Sequence, residues 1–156
     1  MAYQIDEIDR RIVAALQSDA SLSIDQLSEE VHLSRNACWR RVKLMEEEGI
    51  ITGRVALVDA ERLGYGLSVF ILVRTTHHEP GWLDRFRSAV QAIPEIQGVY
   101  RMSGDLDYVL RARVPDVKAY DRLYQRLIAK VPLSDVSASF VMEEIKETMM
   151  LPPIVR

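Results

Sequence analysis

The chain has little with which to staple a fold from outside. Its single cysteine, Cys38, excludes an intramolecular disulfide, and there is no CxxC pair or Cys/His cluster. A reducing compartment suits such usage best. No apolar run approaches the roughly 18 residues a membrane-spanning helix needs. The opening MAYQIDEIDRR is charged within six residues and lacks the apolar stretch of a secretory leader. Gly (7) and Pro (6) are sparse, which argues against a disordered or fibrous chain. Positive charge is not in excess either: the net charge is −3 and the pI about 5.6. That sum alone speaks against a nucleic-acid binder, which usually presents a basic face. A cytoplasmic protein with no metal, no other cofactor and no membrane contact is expected.

The 156 residues, 48% hydrophobic and 28% charged, suffice for one ordinary domain or two small ones with cores of their own. The distribution of charge says more than its sum. Residues 1–60 hold seven cations against eleven acids, and residues 61–156 thirteen against twelve. Yet residues 34–43, SRNACWRRVK, carry four cations and no acid, between Glu29-Glu30 and Glu46-Glu47-Glu48. This is either a solvated helix face or a cationic patch on an acidic module.

Three helices are predicted at the front. Residues 6–17 place Ile5, Ile8, Ile12, Ala15 and Leu16 at helical spacing, with Asp6 as cap. Ser23 and Gln26 form a capping box for a short helix over 24–31 that buries Ile24, Leu27 and Val31. After His32-Leu33, Ser34 caps a third helix to about Glu48, with Gly49 as its C′ residue. Two short helices, a tight connection and a longer third helix outline a helix-turn-helix. At ~100° per residue, Cys38, Val42 and Met45 fall on one face of the third helix, and Asn36, Trp39, Arg40 and Lys43 on the other. The first turns of such a helix reach base edges in a major groove. There Arg pairs with guanine O6 and N7, and Asn with adenine N6 and N7. Ser34, Arg35 and Arg41 suit phosphates or intramolecular contacts better. Cys38, on the inward face, reads as a small hydrophobe.

Residues 50–59 are β-rich, a wing or a connecting strand, and 60–66 read as a hinge. Then follow a strand over 67–75, a helix over 82–92, strands over 96–102 and 107–114, a helix over 116–130 and a final strand over 136–148. The fold class expected is therefore α+β. A three-helix helix-turn-helix domain (1–50) is joined by a strand and hinge linker (51–66) to a ferredoxin-like βαββαβ domain (67–156). Both helices of that domain would cover one sheet face. Phe70, Leu72 and Tyr100 would leave the other apolar, and a homodimer is the economical cover.

The chain resembles the Lrp/AsnC, or feast/famine, family of regulators along nearly its whole length. At the front the likeness rests on Ile8-Asp9-Arg10-Arg11-Ile12, on Leu33 to Val42 and on LMEEEGI from Leu44. At the back it rests on Met102-Ser103-Gly104-Asp105-Leu106-Asp107-Tyr108, on Val114-Pro115-Asp116 and on Phe140 to Lys146. The resemblance implies a transcription regulator of amino-acid metabolism that binds double-stranded DNA. It also implies dimers that assemble further, often to octamers, and a small effector, typically an amino acid, bound between C-terminal domains. By resemblance the 102–108 turn lines the effector site, with Ser137 and its neighbours Ser134 and Ser139 as helpers. Chemically, Gly104 permits close backbone approach, and Asp105 or Asp107 can accept from an α-ammonium; a plain hairpin turn is the simpler reading of the same residues. Cys38-Trp39, SGDLDY and SDVSASFVMEEIK look most like the subgroup that responds to cysteine or similar amino acids. Asn36-Ala37 stands where relatives often have Ser/Thr-Pro, and Leu44 where they often carry a cation.

Two rivals compete. An enzyme would draw on His77, His78, Glu79 and the Asp105/Asp107 pair, but no nucleophile, base and orienting group come together, and no phosphate loop exists. An amino-acid-sensing oligomeric protein without operator specificity shares the C-terminal half and differs only in lacking salt-dependent binding to duplex DNA.

Overall fold

The computed structural model describes residues 3–76 and 79–152. Helices α1 (Glu7–Ser18), α2 (Ile24–Glu30) and α3 (Arg35–Glu47) lie where periodicity and caps place them. Asp6 accepts the Asp9 N–H at 2.9 Å and Asp9 accepts the Asp6 N–H at 3.1 Å, a capping box made of two acids. Ser23 and Gln26 close the second box, and the Ser34 hydroxyl accepts the Ala37 N–H. Each satisfies backbone donors that a helix start leaves without partners. His32, with φ 55°, turns the chain between α2 and α3, and Gly49, with φ 70°, ends α3 in the left-handed region glycine tolerates. Ile12, Leu27, Val31, Cys38, Val42 and Met45 bury into one core.

The β-rich reading of 50–59 is corrected. Residues 52–59 are irregular, and Val55 and Leu57 are 78% and 84% exposed. β-branched composition makes a strand only where a neighbouring strand takes up its backbone N–H and C=O groups. Among the described residues none lies beside this segment.

The second half forms β1 (Leu67–Arg74), α4 (Pro80–Gln91), β2 (Ile96–Arg101), β3 (Tyr108–Val114), α5 (Val117–Ile128) and β4 (Asp135–Phe140). The sheet is antiparallel, in the order β2-β3-β1-β4. Alternation sends Val69, Ile71, Val73, Leu110, Ala112 and Val114 to the helix side. There Trp82 stacks on Phe86 at 5.1 Å, and Phe86 meets Tyr108 at 4.7 Å. The Trp82 indole N–H donates to the Pro132 carbonyl at 2.8 Å. The opposite face carries the row Tyr100, Val109, Leu72, Ser137 in register, beside Phe70, Arg111 and Ser139. Tyr100 (51% exposed) lays its ring over Gly98, where a side chain would collide with it.

The final strand is shorter than predicted. β4 pairs only with β1, and β1 begins at Leu67, so the ladder runs out after the Val141 N–H donates to Ser68. Met142 and Ile145 beyond it are 95% and 89% exposed. The chain divides into two compact units, one of residues up to 57 together with 146 onward, the other of residues 58–145. Within the first, the Gln17 side-chain amide holds the backbone of Leu151, accepting its N–H at 2.7 Å.

Candidate nucleic-acid interface and effector loop

The cations of α3 have different fates. Arg35 pairs with Asp25 of α2 at 2.7 Å, both exposed. Lys43 pairs at 2.9 Å with Glu46, which also takes Arg54 at 3.1 Å, and these two cations hold the Glu46 carboxyl below its ordinary range. Arg41 turns back to α1. Its Nη1 donates to Asp6 at 2.8 Å and to Asp9 at 2.7 Å. Asp9 is buried and takes the Tyr3 hydroxyl at 2.7 Å on its other oxygen. The hydrogen bond that Arg41 donates to the Asp9 carboxylate raises the Arg41 pKa further. Burial, then the bond to the Asp9 carboxylate, push the Tyr3 phenol up to about 12. The Asp9 N–H at the helix start, then Arg41, hold Asp6 low.

Asn36 and Arg40 remain on the solvent face, and among the described residues Arg40 has no ion-pair partner. Trp39, 54% exposed, flanks them. Ser34 is spent in part on its cap. Cys38 is buried, and burial pushes its thiol up, which leaves it an inert core group. Asp6 and Asp9 were not singled out from sequence as partners of Arg41. The available signal was an acid, Asp9, set between Ile8 and Ile12 on the apolar side of α1.

In the other unit, the 102–107 loop joins β2 to β3. The Met102 N–H donates to the Asp107 carbonyl at 2.9 Å, and Gly104 adopts φ 107°. The two loop carboxylates are not equivalent. Asp107 accepts the Thr75 N–H at 2.8 Å, so its side chain holds the loop to β1. Asp105 is exposed, as are Met102 and Ser103. Arg74, which sequence reading passed over, clamps the loop: Nε donates to the Asp105 carbonyl at 3.0 Å and Nη1 to Asp135 at 2.7 Å. Its signal was a cation ending an otherwise apolar strand. Tyr108 and Ser137 point to opposite sheet faces, so the geometry does not bring all seven expected effector residues to one surface. Tyr108 instead lines a cleft of about 330 Å³ with Leu83, Phe86, Val99, Arg87 and Arg101. His77 and His78 lie outside the described residues. No helix among the described residues is long and apolar enough to cross a membrane.

A helix-turn-helix unit with an exposed polar face on its third helix, followed by a four-stranded α+β unit, defines a two-part regulator: one part to contact DNA, one to sense. Residues 5–52 match winged helix-turn-helix DNA-binding modules, and residues 68–151 match the Lrp/AsnC ligand binding domain. The chain is 48% identical over 149 residues to the DNA-binding transcriptional activator DecR of Escherichia coli (strain K12), a match covering 95% of this chain and 98% of that protein. The crystal structure of an AsnC family transcriptional regulator from Agrobacterium tumefaciens superposes with a TM-score of 0.91 at 47% identity, covering 95% and 97% of the two chains. A transcriptional regulator from Neisseria meningitidis in complex with L-Met superposes at 0.90, with 33% identity and 96% and 97% covered. The chain belongs to the Lrp/AsnC family and is a DNA-binding transcriptional regulator. Its relatives are regulators rather than enzymes, which removes the catalytic rival.

Proposed function

We propose that residues 1–50 read an operator through α3 while residues 67–156, beyond the 51–66 linker, bind an amino-acid effector and form the dimer. Asn36 and Arg40 read bases; Trp39, Lys43, Ser34 and Arg35 sit against the backbone around them. The protein works in the cytoplasm as a homodimer, built by the open sheet faces; the family resemblance leaves dimer and octamer both open. One protomer serves each half-site, one helical turn apart. The observation that carries the reading is the sorting of the α3 cations. Acids of this chain engage Arg35, Arg41 and Lys43, whereas Arg40 stays outward beside Asn36.

Asn36→Ala and Arg40→Ala are each expected to lower discrimination between an operator and random duplex by about 1–3 kcal/mol. Titrations on both duplexes, repeated over a salt series, check this. Equal loss on the two would demote these side chains to phosphate contacts. Binding by the wild-type protein without salt dependence would favour the sensor with no operator specificity.

The effector is an amino acid, held at the 102–107 loop by its charged ends. Asp105 is the loop carboxylate free to receive an ammonium group, since Asp107 is committed to Thr75. The solved relative in complex with L-Met supports this chemistry, and the subgroup resemblance favours cysteine. Asp105→Ala is expected to blunt the heat of amino-acid binding, with effector-free DNA binding unchanged. Calorimetry with cysteine, methionine and glutamate reads this. Heat retained in full by the variant would leave the loop as a plain turn, and no heat from cysteine in the wild-type protein would end the subgroup reading.

A further inference from the structure

On a wheel of ~100° per residue, Arg41 lies on the edge of α3, roughly 65° from the centre of the buried stripe of Cys38, Val42 and Met45 and about a third of a turn from the Asn36–Arg40 face. From there it could serve a DNA phosphate or the protein. The structure commits it to the protein. One nitrogen bridges two carboxylates of the α1 capping box, at 2.8 Å and 2.7 Å. The Asp9 carboxylate is 1% exposed and accepts from Arg41, from the Asp6 N–H and from Tyr3. A buried carboxylate so enclosed cannot drift without leaving charge unpaired. At the opposite edge of α3 the ion pair to α2 among the described residues is the exposed Arg35–Asp25, which solvent screens, beside the apolar packing of the shared core. The stripe facing the core fixes how deeply α3 sits. A contact at the edge, off the centre of that stripe, resists turning of α3 about its own axis, the motion that would re-aim Asn36 and Arg40.

We infer that the chain Tyr3–Asp9–Arg41 is the device that sets the rotation of the reading helix. Arg41 is then a positioning residue rather than a phosphate contact, and the segment preceding α1 takes part in sequence discrimination without touching DNA. The inference rests on the reading of α3 proposed above. The shared feature of the three residues is a rigid hydrogen-bond geometry: a planar guanidinium whose nitrogen spans both carboxylates, and a phenol that fixes the second carboxylate's orientation.

The test uses the full-length protein and two probes: a duplex selected from a random pool by the wild-type chain, and the unselected pool. R41Q is expected to lower preference for the selected duplex by about two- to thirtyfold, the range for residues that act through packing rather than contact. Binding to the pool and the salt slope should be unchanged, and R41K should recover part of the preference. A slope of log K against log salt shallower by about 0.9 on both duplexes would make Arg41 a phosphate contact and overturn the inference. Y3F keeps every charge and the folded core, and is expected to reduce the preference in the same direction by a smaller factor. If R41Q unfolds the helical unit, Y3F decides alone: full preference in folded Y3F overturns the inference. Asn36→Ala separates the two levels. If it leaves the preference intact, the reading face itself is wrong; if it lowers the preference while Tyr3 and Arg41 variants do not, only the rotation device is.

Discussion

On the dimer proposed above, replacing Leu72 with Glu is expected to turn the protein into monomers while leaving each unit folded. Leu72 is half-buried on the open sheet face, flanked in register by Val109 and Ser137. Its neighbours along β1, Ile71 and Val73, point to the helix side and are fully buried, so the core does not see the change. A two-fold interface meets the substitution twice, once from each subunit. Each carboxylate forced into an apolar contact without a partner costs several kcal/mol. At 1.4 kcal/mol per tenfold, the dimer constant should weaken by about a thousandfold or more. Sedimentation equilibrium over a concentration series measures this, with circular dichroism as the check on folding. Affinity for a duplex bearing two half-sites should fall to that for one half-site. A variant that stays dimeric would move the interface off this face.

How much of this was legible in the sequence depends on the distance over which each feature is decided. Caps are decided within four residues, and Asp6, Ser23 and Ser34 could be read directly. The two faces of α3 follow from a single periodicity, and the inward set Cys38, Val42, Met45 is the buried set of the structure. Alternation in β3 likewise gave the buried side of the sheet. Features decided across the chain were not legible. Arg41 and Asp9 stand 32 residues apart, and Arg74 and Asp105 stand 31 apart. Nothing local distinguishes a cation that will meet a buried acid from one that will face water. The length of β4 was overestimated for a related reason. The predicted strand runs on to Thr148, through the charged Glu143-Glu144-Ile145-Lys146-Glu147, but a strand lasts only as long as its partner, and β1 starts at Leu67. Residues 52–59 fail in the same way, with strand composition and no neighbouring strand among the described residues. Of the candidate loop, the sequence offered two equivalent carboxylates, and only the fold commits Asp107 to Thr75.

Phe86→Ala is expected to cost the sensing unit about 3–5 kcal/mol, the range for emptying a buried aromatic site. Phe86 is 1% exposed and lies between Trp82 at 5.1 Å and Tyr108 at 4.7 Å, so truncation strips packing from both rings at once. The Trp82 indole is anchored by its bond to the Pro132 carbonyl and cannot slide into the gap without losing it. The cavity therefore stays largely open, which places the cost at the upper part of that range. A unit of this size shifts by about 4–8 °C per kcal/mol, so its transition should fall by roughly 15 °C or more. The helical unit has a separate core around Ile12, Leu27, Cys38 and Met45, and its transition should not move. Differential scanning calorimetry should then show one component displaced and one fixed. The loop should suffer as well, because Tyr108 follows Asp107 directly and its ring rests on Phe86. Effector heat measured well below the lowered transition is expected to shrink, with effector-free DNA binding preserved. A shift of the whole endotherm as one would show that the two cores unfold together. An unchanged effector heat would separate the loop from the aromatic cluster beneath it.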